Sequence, residues 1–356
     1  MIQKIVKLRL NKTQTEILEN WLTYSMRIYN WGIRKIETHA QMKEYFSKME
    51  FQNILAGHSK RLEMPSCIIQ GLLIDAHSAW SRCFKKIGGK PKFKGARRPL
   101  KSMPHVSPVS PKNVLSDRIK LSVIGWLRFH KQELPEGKVK QVRIIKKASG
   151  WHLGLFIDAE PVKVECLGTE KVGIHPGISQ HLTLSDGIII QKRKRGKDLE
   201  KRLAQAQRGG NKKLVARLHE KIANRRKHDN HVLSRHIVKG YNHIIFGVMD
   251  YKKIAKKFGK GVAESAIYQL RQMIKYKAEN AGITYEEVES LYHTATCNVC
   301  KQQTGPTGMK ELKIKAWRCS NCNTLHDREK NAAINVLNKL SFKEEKKEKK
   351  PKKTTS

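Results

Sequence analysis

"GIHPGISQHLTLSDGIII", residues 173–190, is the stretch on which the fold turns. Leu182 and Leu184 alternate with polar neighbours, and Asp186-Gly187 supplies a turn that tolerates positive φ before Ile188, Ile189 and Ile190. The pattern predicts a β-hairpin. Ahead of it, Val172-Gly173-Ile174 reads as a buried strand that stops at Pro176-Gly177, with His175 at the strand end. Reactive side chains are often carried at such ends, and a carboxylate there would read at once as a metal ligand. A histidine in that place has to be explained.

Downstream, "KRKRGKDLEKRLAQAQRGGNKKLVARLHEKIANRRK" (residues 192–227) predicts two helices divided at Gly209-Gly210. Leu214, Leu218 and Ile222 form a narrow apolar stripe. The rest of that surface is largely Lys and Arg, either a solvated face or a contact for phosphates. "YNHIIFGVMDY" (241–251) predicts a buried strand, and 262–281 a helix carrying Ile267, Leu270, Ile274 and Ala278. "ITYEEVES" reads as a strand and 327–340 as a helix. A hairpin-led mixed sheet with helices packed on it predicts an RNase H-like fold.

Upstream, residues 2–10 predict a strand, and Thr13 with Glu16 forms a T-x-x-E helix start. Ile17, Leu18, Trp21, Leu22 and Ile28 recur at helical spacing. Helical texture runs to about residue 87, with Pro65 opening a helix that carries Leu72, Leu73, Ala76, Ala79, Trp80 and Cys83. "GGKPKFKGARRPLK" (88–101) is broken by Gly and Pro and is strongly basic. Residues 118–160 return to strands. A β-rich unit therefore begins at the N-terminus, is interrupted by a helical insertion and resumes near residue 90.

Lys and Arg number 72 against 31 Asp and Glu, a net charge of +41. A chain this basic points to a polyanion, nucleic acid before an anionic membrane. Lys90, Lys92, Phe93, Lys94, Arg97 and Arg98 are candidate contacts, as are Lys192, Arg193, Lys194 and Arg195. No apolar run approaches the ~18 residues of a membrane span, and "MIQKIVKLRLNK" lacks a signal-peptide core. A cytoplasmic location without a membrane partner is expected.

Cys297-x2-Cys300 and Cys319-x2-Cys322 are separated by eighteen residues, the spacing of a four-cysteine zinc ribbon. Four thiolates complete a tetrahedron, so such a zinc is structural. Lys301 and Asn323 follow the second Cys of each pair, where Gly is usual. His293 and His326 flank the pairs and read as surface residues. Cys67, Cys83 and Cys166 read as small buried side chains.

Together, "GIHPGISQHLTLSDG", the basic helical stretch, "IIFGVMDY", "LRQMIKYKAENAGI", the two cysteine pairs and "DREKNAAINVL" resemble TnpB, the transposon-encoded RNA-guided nuclease related to type V CRISPR effectors. "MPSCIIQGLLIDAHSAWSRCF" and "GKPKFKG" resemble its recognition and wedge portions more loosely. The resemblance implies an α/β multidomain chain. Its parts would be a wedge β-barrel from 1–10 and 88–165, a helical recognition insertion over 11–87, and a RuvC-like RNase H fold from 166–294 and 327–341. A zinc ribbon over 295–326 would interrupt the last, and the low-complexity tail over 342–356 would be disordered.

The family's nuclease uses three carboxylates to hold two Mg²⁺ ions. By the resemblance the first position is His175. Anchoring the second motif on Asp250 puts Met249 at the Glu position. The third position is Glu329, two residues after Asp327. Mg²⁺ demands octahedral oxygen coordination and tolerates imidazole poorly. Asp186 reads as a turn former, and Asp250 should face away from Met249. His175 is then a satisfied core histidine or a residual ligand for a softer metal.

The expectation is an RNA-guided, sequence-specific DNA-binding protein without nuclease activity, holding structural Zn²⁺ but no Mg²⁺ at the RuvC positions. Its partners would be a guide RNA and a double-stranded target with a short flanking motif. It would repress transcription by occupying that target, in a bacterial cytoplasm and associated with the nucleoid. The rivals are a nuclease using Glu329, Asp327 and further ligands, and a transposon remnant that binds RNA only.

Overall fold

Val6 and Leu8, on one side of an alternating N-terminal strand, are buried and start the first core. The computed structural model describes residues 1–160, 164–177, 180–191, 196–251, 254, 256, 259, 266–290, 292–307, 311 and 313–340. The chain divides into two units, Met1–Pro161 and Val162–Ser356.

In the first unit, β1 (Ile2–Arg9) is followed by α1 (Lys12–Gln41), α2 (Lys48–Asn53) and α3 (Ser66–Phe84). Then come β2 (Ser102–His105), β3 (Arg118–Leu121), β4 (Gly125–Phe129), β5 (Lys138–Lys147) and β6 (Gly150–Asp158). α1 starts at Asn11 and not at the expected Thr13 box. Asn11 Oδ1 accepts from Gln14 N at 2.7 Å, and Gln14 Oε1 accepts from Asn11 N at 3.4 Å. Asparagine caps better than threonine and Gln14 returns the bond, so the earlier box wins. The sheet runs β2-β5-β6-β1-β4-β3, with antiparallel pairing throughout. It is open between β2 and β3, a half-barrel where a barrel was expected. Both edge strands are four residues long, and Pro104 in β2 has no N–H to offer a further strand.

In the second unit, β7 (Lys171–Pro176), β8 (Leu182–Leu184) and β9 (Ile189–Ile190) form the predicted hairpin-led start. Gly187 holds its turn at φ 98°. α4 (Glu200–Arg208) and α5 (Lys212–Gly240) follow, divided at Gly209-Gly210, with Gly210 at φ 63°. Leu214, Leu218 and Ile222 pack with Leu199, Leu203 and Ala206, so the narrow stripe joins these two helices. β10 (His243–Val248), α6 (Ile267–Ala281) and β11 (Thr284–Glu289) come next. The sheet order is β11-β10-β7-β8-β9, parallel across β7, β10 and β11 and antiparallel in the hairpin. α6 is described from Ile267, with Ala266 at its N-cap at φ 47°, which cannot continue a right-handed helix. Residues 260–265 lie outside the described residues, as do Lys192, Arg193, Lys194, Arg195 and the tail over 342–356.

β12 (Ala316–Arg318) and β13 (Leu325–Asp327) pair within the cysteine-bearing insertion, and α7 (Arg328–Leu337) follows. Strand parity sets what α7 meets. Val172 and Ile174 enter a core with Ile237 and Val238 of α5 and Leu270 and Ile274 of α6. Gly173 faces the other way, directly under α7. A Cβ there would stand 2.4 Å from Ala333 O and 2.5 Å from Leu337 N. Only glycine lets the helix backbone rest on the strand.

Candidate functional site

The close contact at Gly173 brings the first turn of α7 to the end of β7. His175 is the next-to-last residue of β7 and is 3% exposed. Its Nε2 lies 3.5 Å from Glu329 Oε2. Burial, partly opposed by the Glu329 carboxylate, holds the imidazole down to about 4, so it is neutral at pH 7. Its Nδ1 is buried without a hydrogen-bond partner. The other Glu329 oxygen accepts from Lys315 Nζ at 3.3 Å. Sequence reasoning missed this lysine.

Asp327 is placed beside Glu329 in the chain but is spent elsewhere. It is the N-cap of α7, and its Oδ1 accepts from Glu329 N at 3.0 Å and Lys330 N at 2.8 Å. Met249 lies one residue beyond β10, half-buried, and Asp250 is exposed. The parallel register of Ile174 with Phe246 brings the ends of β7 and β10 to the same edge of the sheet. Asp186 keeps its turn role, accepting from Ile188 N at 2.9 Å and from the Tyr241 hydroxyl. The three positions that the resemblance marks thus hold a neutral imidazole, a thioether and one carboxylate. That set does not fit a pair of Mg²⁺ ions.

Among the described residues, one group of three or more His, Cys, Asp or Glu side chains converges tightly enough to hold a metal ion. It is Cys297, Cys300, Cys319 and Cys322, whose Sγ atoms all lie within 4.8 Å of one another. Cys297–Cys322 and Cys300–Cys319 Sγ pairs are each 3.5 Å apart. A zinc tetrathiolate has edges of about 3.8 Å, given ~2.3 Å Zn–S bonds. Such a donor set fits a metal such as zinc. Lys301 and Asn323 adopt φ 64° and 58°, the left-handed turns expected of the two knuckles.

The surroundings of the sulfurs are polar. Thr304 Oγ1 donates to Cys319 Sγ at 3.1 Å and draws that thiol down to about 6, while burial pushes Cys297 up to about 11. Thr324 Oγ1 lies 3.2 Å from Cys322 Sγ. His326 was expected at the surface but is 5% exposed, with Nε2 3.1 Å from Cys297 Sγ. Pairing of β12 with β13 turns it inward. His293, also expected at the surface, is fully buried and its Nε2 donates to Leu340 O at 2.6 Å.

Two asparagines mount the insertion on α7. Asn331 Nδ2 donates to His293 O at 3.1 Å and Thr296 O at 2.8 Å. Asn335 Nδ2 donates to the same carbonyls at 2.9 and 2.7 Å. Asn331 Oδ1 accepts from Asn298 N at 2.9 Å. Their signal in the sequence is the i, i+4 spacing of two amides within an otherwise apolar helix face.

The basic loop of the first unit is tied to α1. Asn30 donates to Lys94 O at 2.8 Å and accepts from Lys94 N at 2.7 Å. Arg34 covers the Phe93 ring at 5.7 Å, Lys94 Nζ covers Tyr29 at 5.4 Å, and Lys90 pairs with Glu37. Lys92, Arg97 and Arg98 are exposed on a loop fixed in place, a surface suited to phosphates.

The sequence and the fold are similar to those of several known proteins. The Cas12f1-like TNB domain model matches residues 268–336, which include the four cysteines and nearly all of α7. A Streptomyces pristinaespiralis protein named as a candidate RNA-guided DNA endonuclease is 26% identical over 296 residues, 77% of this chain and 71% of that protein. Escherichia coli K12 InsQ, named likewise, is 22% identical over 305 residues, 77% and 74% of the two chains. The CRISPR-associated DNA-binding protein Cas12m of Pelobacter propionicus is 27% identical over 153 residues, 38% of this chain and 22% of that one. Among solved structures, Cas12f1 in its complex with sgRNA and target DNA shares the fold. Its TM-score is 0.58 at 16% identity, over 92% of this chain and 83% of that one.

Proposed function

We propose that this chain, a TnpB-family protein, binds DNA under the direction of a guide RNA and leaves it uncut. The observation that carries the reading is the donor set where β7, β10 and α7 meet. His175 and Met249 stand where the resemblance requires carboxylates, and Glu329 is already paired with Lys315. The hairpin-led sheet is then a RuvC-like domain without its metal ligands. The four cysteines hold a structural zinc in a ribbon that α7 carries. Guide pairing supplies sequence choice, a short flanking motif is read by the protein, and basic surfaces hold the backbone. Occupancy of a target beside a promoter represses transcription.

The endonuclease reading is favoured by the names of two relatives and by the retention of Glu329. A cleavage assay separates the two. With guide RNA, matched duplex and Mg²⁺ or Mn²⁺, the parent chain should retard the DNA and leave it intact. His175→Asp alone and Met249→Glu alone should also leave it intact, since three oxygen ligands act together. The double variant should gain metal-dependent cutting. Robust guided cleavage by the parent, abolished by Glu329→Ala, would overturn this reading.

A further inference from the structure

The position of Lys315 is built, not incidental. β12 and β13 pair with Ala316 opposite Asp327, and Arg328 N donates to Lys315 O at 2.8 Å, which extends that ladder to Lys315. The Arg328 side chain is 5% exposed, and its guanidinium donates to Glu311 O at 2.7 Å and Ile314 O at 3.4 Å. The segment entering β12 is therefore held at three carbonyls by one residue. The Lys315 ammonium, half-exposed, then rests on Glu329, whose side chain is only 15% exposed. A carboxylate so placed needs a nearby positive charge, because partial burial removes much of its hydration.

We propose that Lys315 is a tethered counter-ion that replaces a divalent cation at Glu329. The disagreement between this donor set and a Mg²⁺ pair is thereby resolved within the chain. An ammonium has three N–H donors and no acceptor, so it neutralises a carboxylate that would otherwise repel a nearby phosphate. It does not generate a metal-bound hydroxide as an ion would. One consequence rests on the function proposed above: guided DNA near the ends of β7 and β10 is held without a metal. The pairing itself does not rest on that function.

The test uses zinc-loaded, full-length protein in buffer freed of other divalent ions, with Lys315→Met, Glu329→Gln and the double variant. The first measurement is thermal unfolding without nucleic acid. Lys315→Met should lower Tm, the double variant should recover most of that loss, and millimolar Mn²⁺ should leave the parent unchanged. A double variant no more stable than Lys315→Met, or a parent stabilised by Mn²⁺, overturns the proposal. The second measurement is affinity for guided DNA, read as the ratio of variant to parent at each Mg²⁺ level. Lys315→Met should bind at least about threefold more weakly without Mg²⁺. Either Mg²⁺ or the added Glu329→Gln should restore it. If the double variant binds as weakly as Lys315→Met, the lysine acts on DNA directly and the counter-ion role is wrong. If the parent binds no guided DNA, the functional reading fails and the unfolding measurement alone decides this one.

Discussion

Replacing Asn331 and Asn335 tests how the cysteine insertion is attached to α7. The two amides are 1% and 0% exposed and share two acceptors, His293 O and Thr296 O. Asn331→Ala removes three hydrogen bonds, including the one from Asn298 N, at ~1 kcal/mol net each. A loss of about 3 kcal/mol is expected. Asn335→Ala removes two, and its Oδ1 is buried without a partner, so the loss should be nearer 1 to ~2 kcal/mol. In either single variant each carbonyl keeps one donor. In the double variant both lose their asparagine donors, at roughly 1–3 kcal/mol apiece. The double loss should therefore exceed the sum of the singles by about 2 kcal/mol or more. Denaturant unfolding of the zinc-loaded protein measures the energies, and zinc release to a chromogenic chelator reports the insertion itself. Strict additivity within ~0.5 kcal/mol, or an unchanged release rate in the double variant, would refute the shared-acceptor reasoning.

Cys319→Ser should cut zinc content and loosen residues 295–326; freshly purified parent protein without zinc on metal analysis would rule out the ribbon. Nucleic-acid affinity should fall with salt at a slope of roughly −0.7 to −0.9 per phosphate neutralised. Replacing Lys92, Arg97 and Arg98 with Ala should flatten that slope, and an unchanged slope would assign the loop to solvent. His175 gives a pH signature. Its folded value is about 4 against an ordinary 6.5, so nothing changes above pH 6.5. Between pH 6.5 and 4 the unfolded chain takes a proton that the folded one refuses, and stability falls by up to roughly 3 kcal/mol. His175→Asn should flatten unfolding free energy across that window relative to the parent, and a parallel pair of curves would contradict the burial argument.

The hairpin, the parallel strands, the two-helix break at Gly209-Gly210 and the cysteine cluster were all legible in the sequence. Each rests on a local rule: alternation, positive-φ turns, glycine punctuation, ligand spacing. What escaped depended on partners far away in sequence. His293 and His326 look like surface residues until β12 pairs with β13 and α7 docks. Thr304 and Thr324 have no visible link to sulfur until the two knuckles close. The Thr13 start lost to Asn11 because two caps compete within one turn and the pattern weighed only one. The sheet stays open as a half-barrel because β2 is short and carries Pro104, while the outer edge of β3 is taken by the Val114–Ile119 bridge. Lys315 was one lysine among many. Only the ladder that Arg328 completes distinguishes it.

The contact beneath Gly173 bears on how function can be lost and regained. There the spacing between strand and helix is fixed by main chain resting on main chain, so no side chain serves as the spacer. Replacing a reactive group at the neighbouring positions therefore leaves the ruler unaltered. On the reading proposed above, side chains at residues 175 and 249 can change while the strand-to-helix spacing set at Gly173 is inherited. An engineer who restores the side chains starts from a frame of unchanged dimensions. A change at Gly173 itself would be of another kind, since it would lift α7, carry Glu329 away from β7 and erase the gauge along with the reagents.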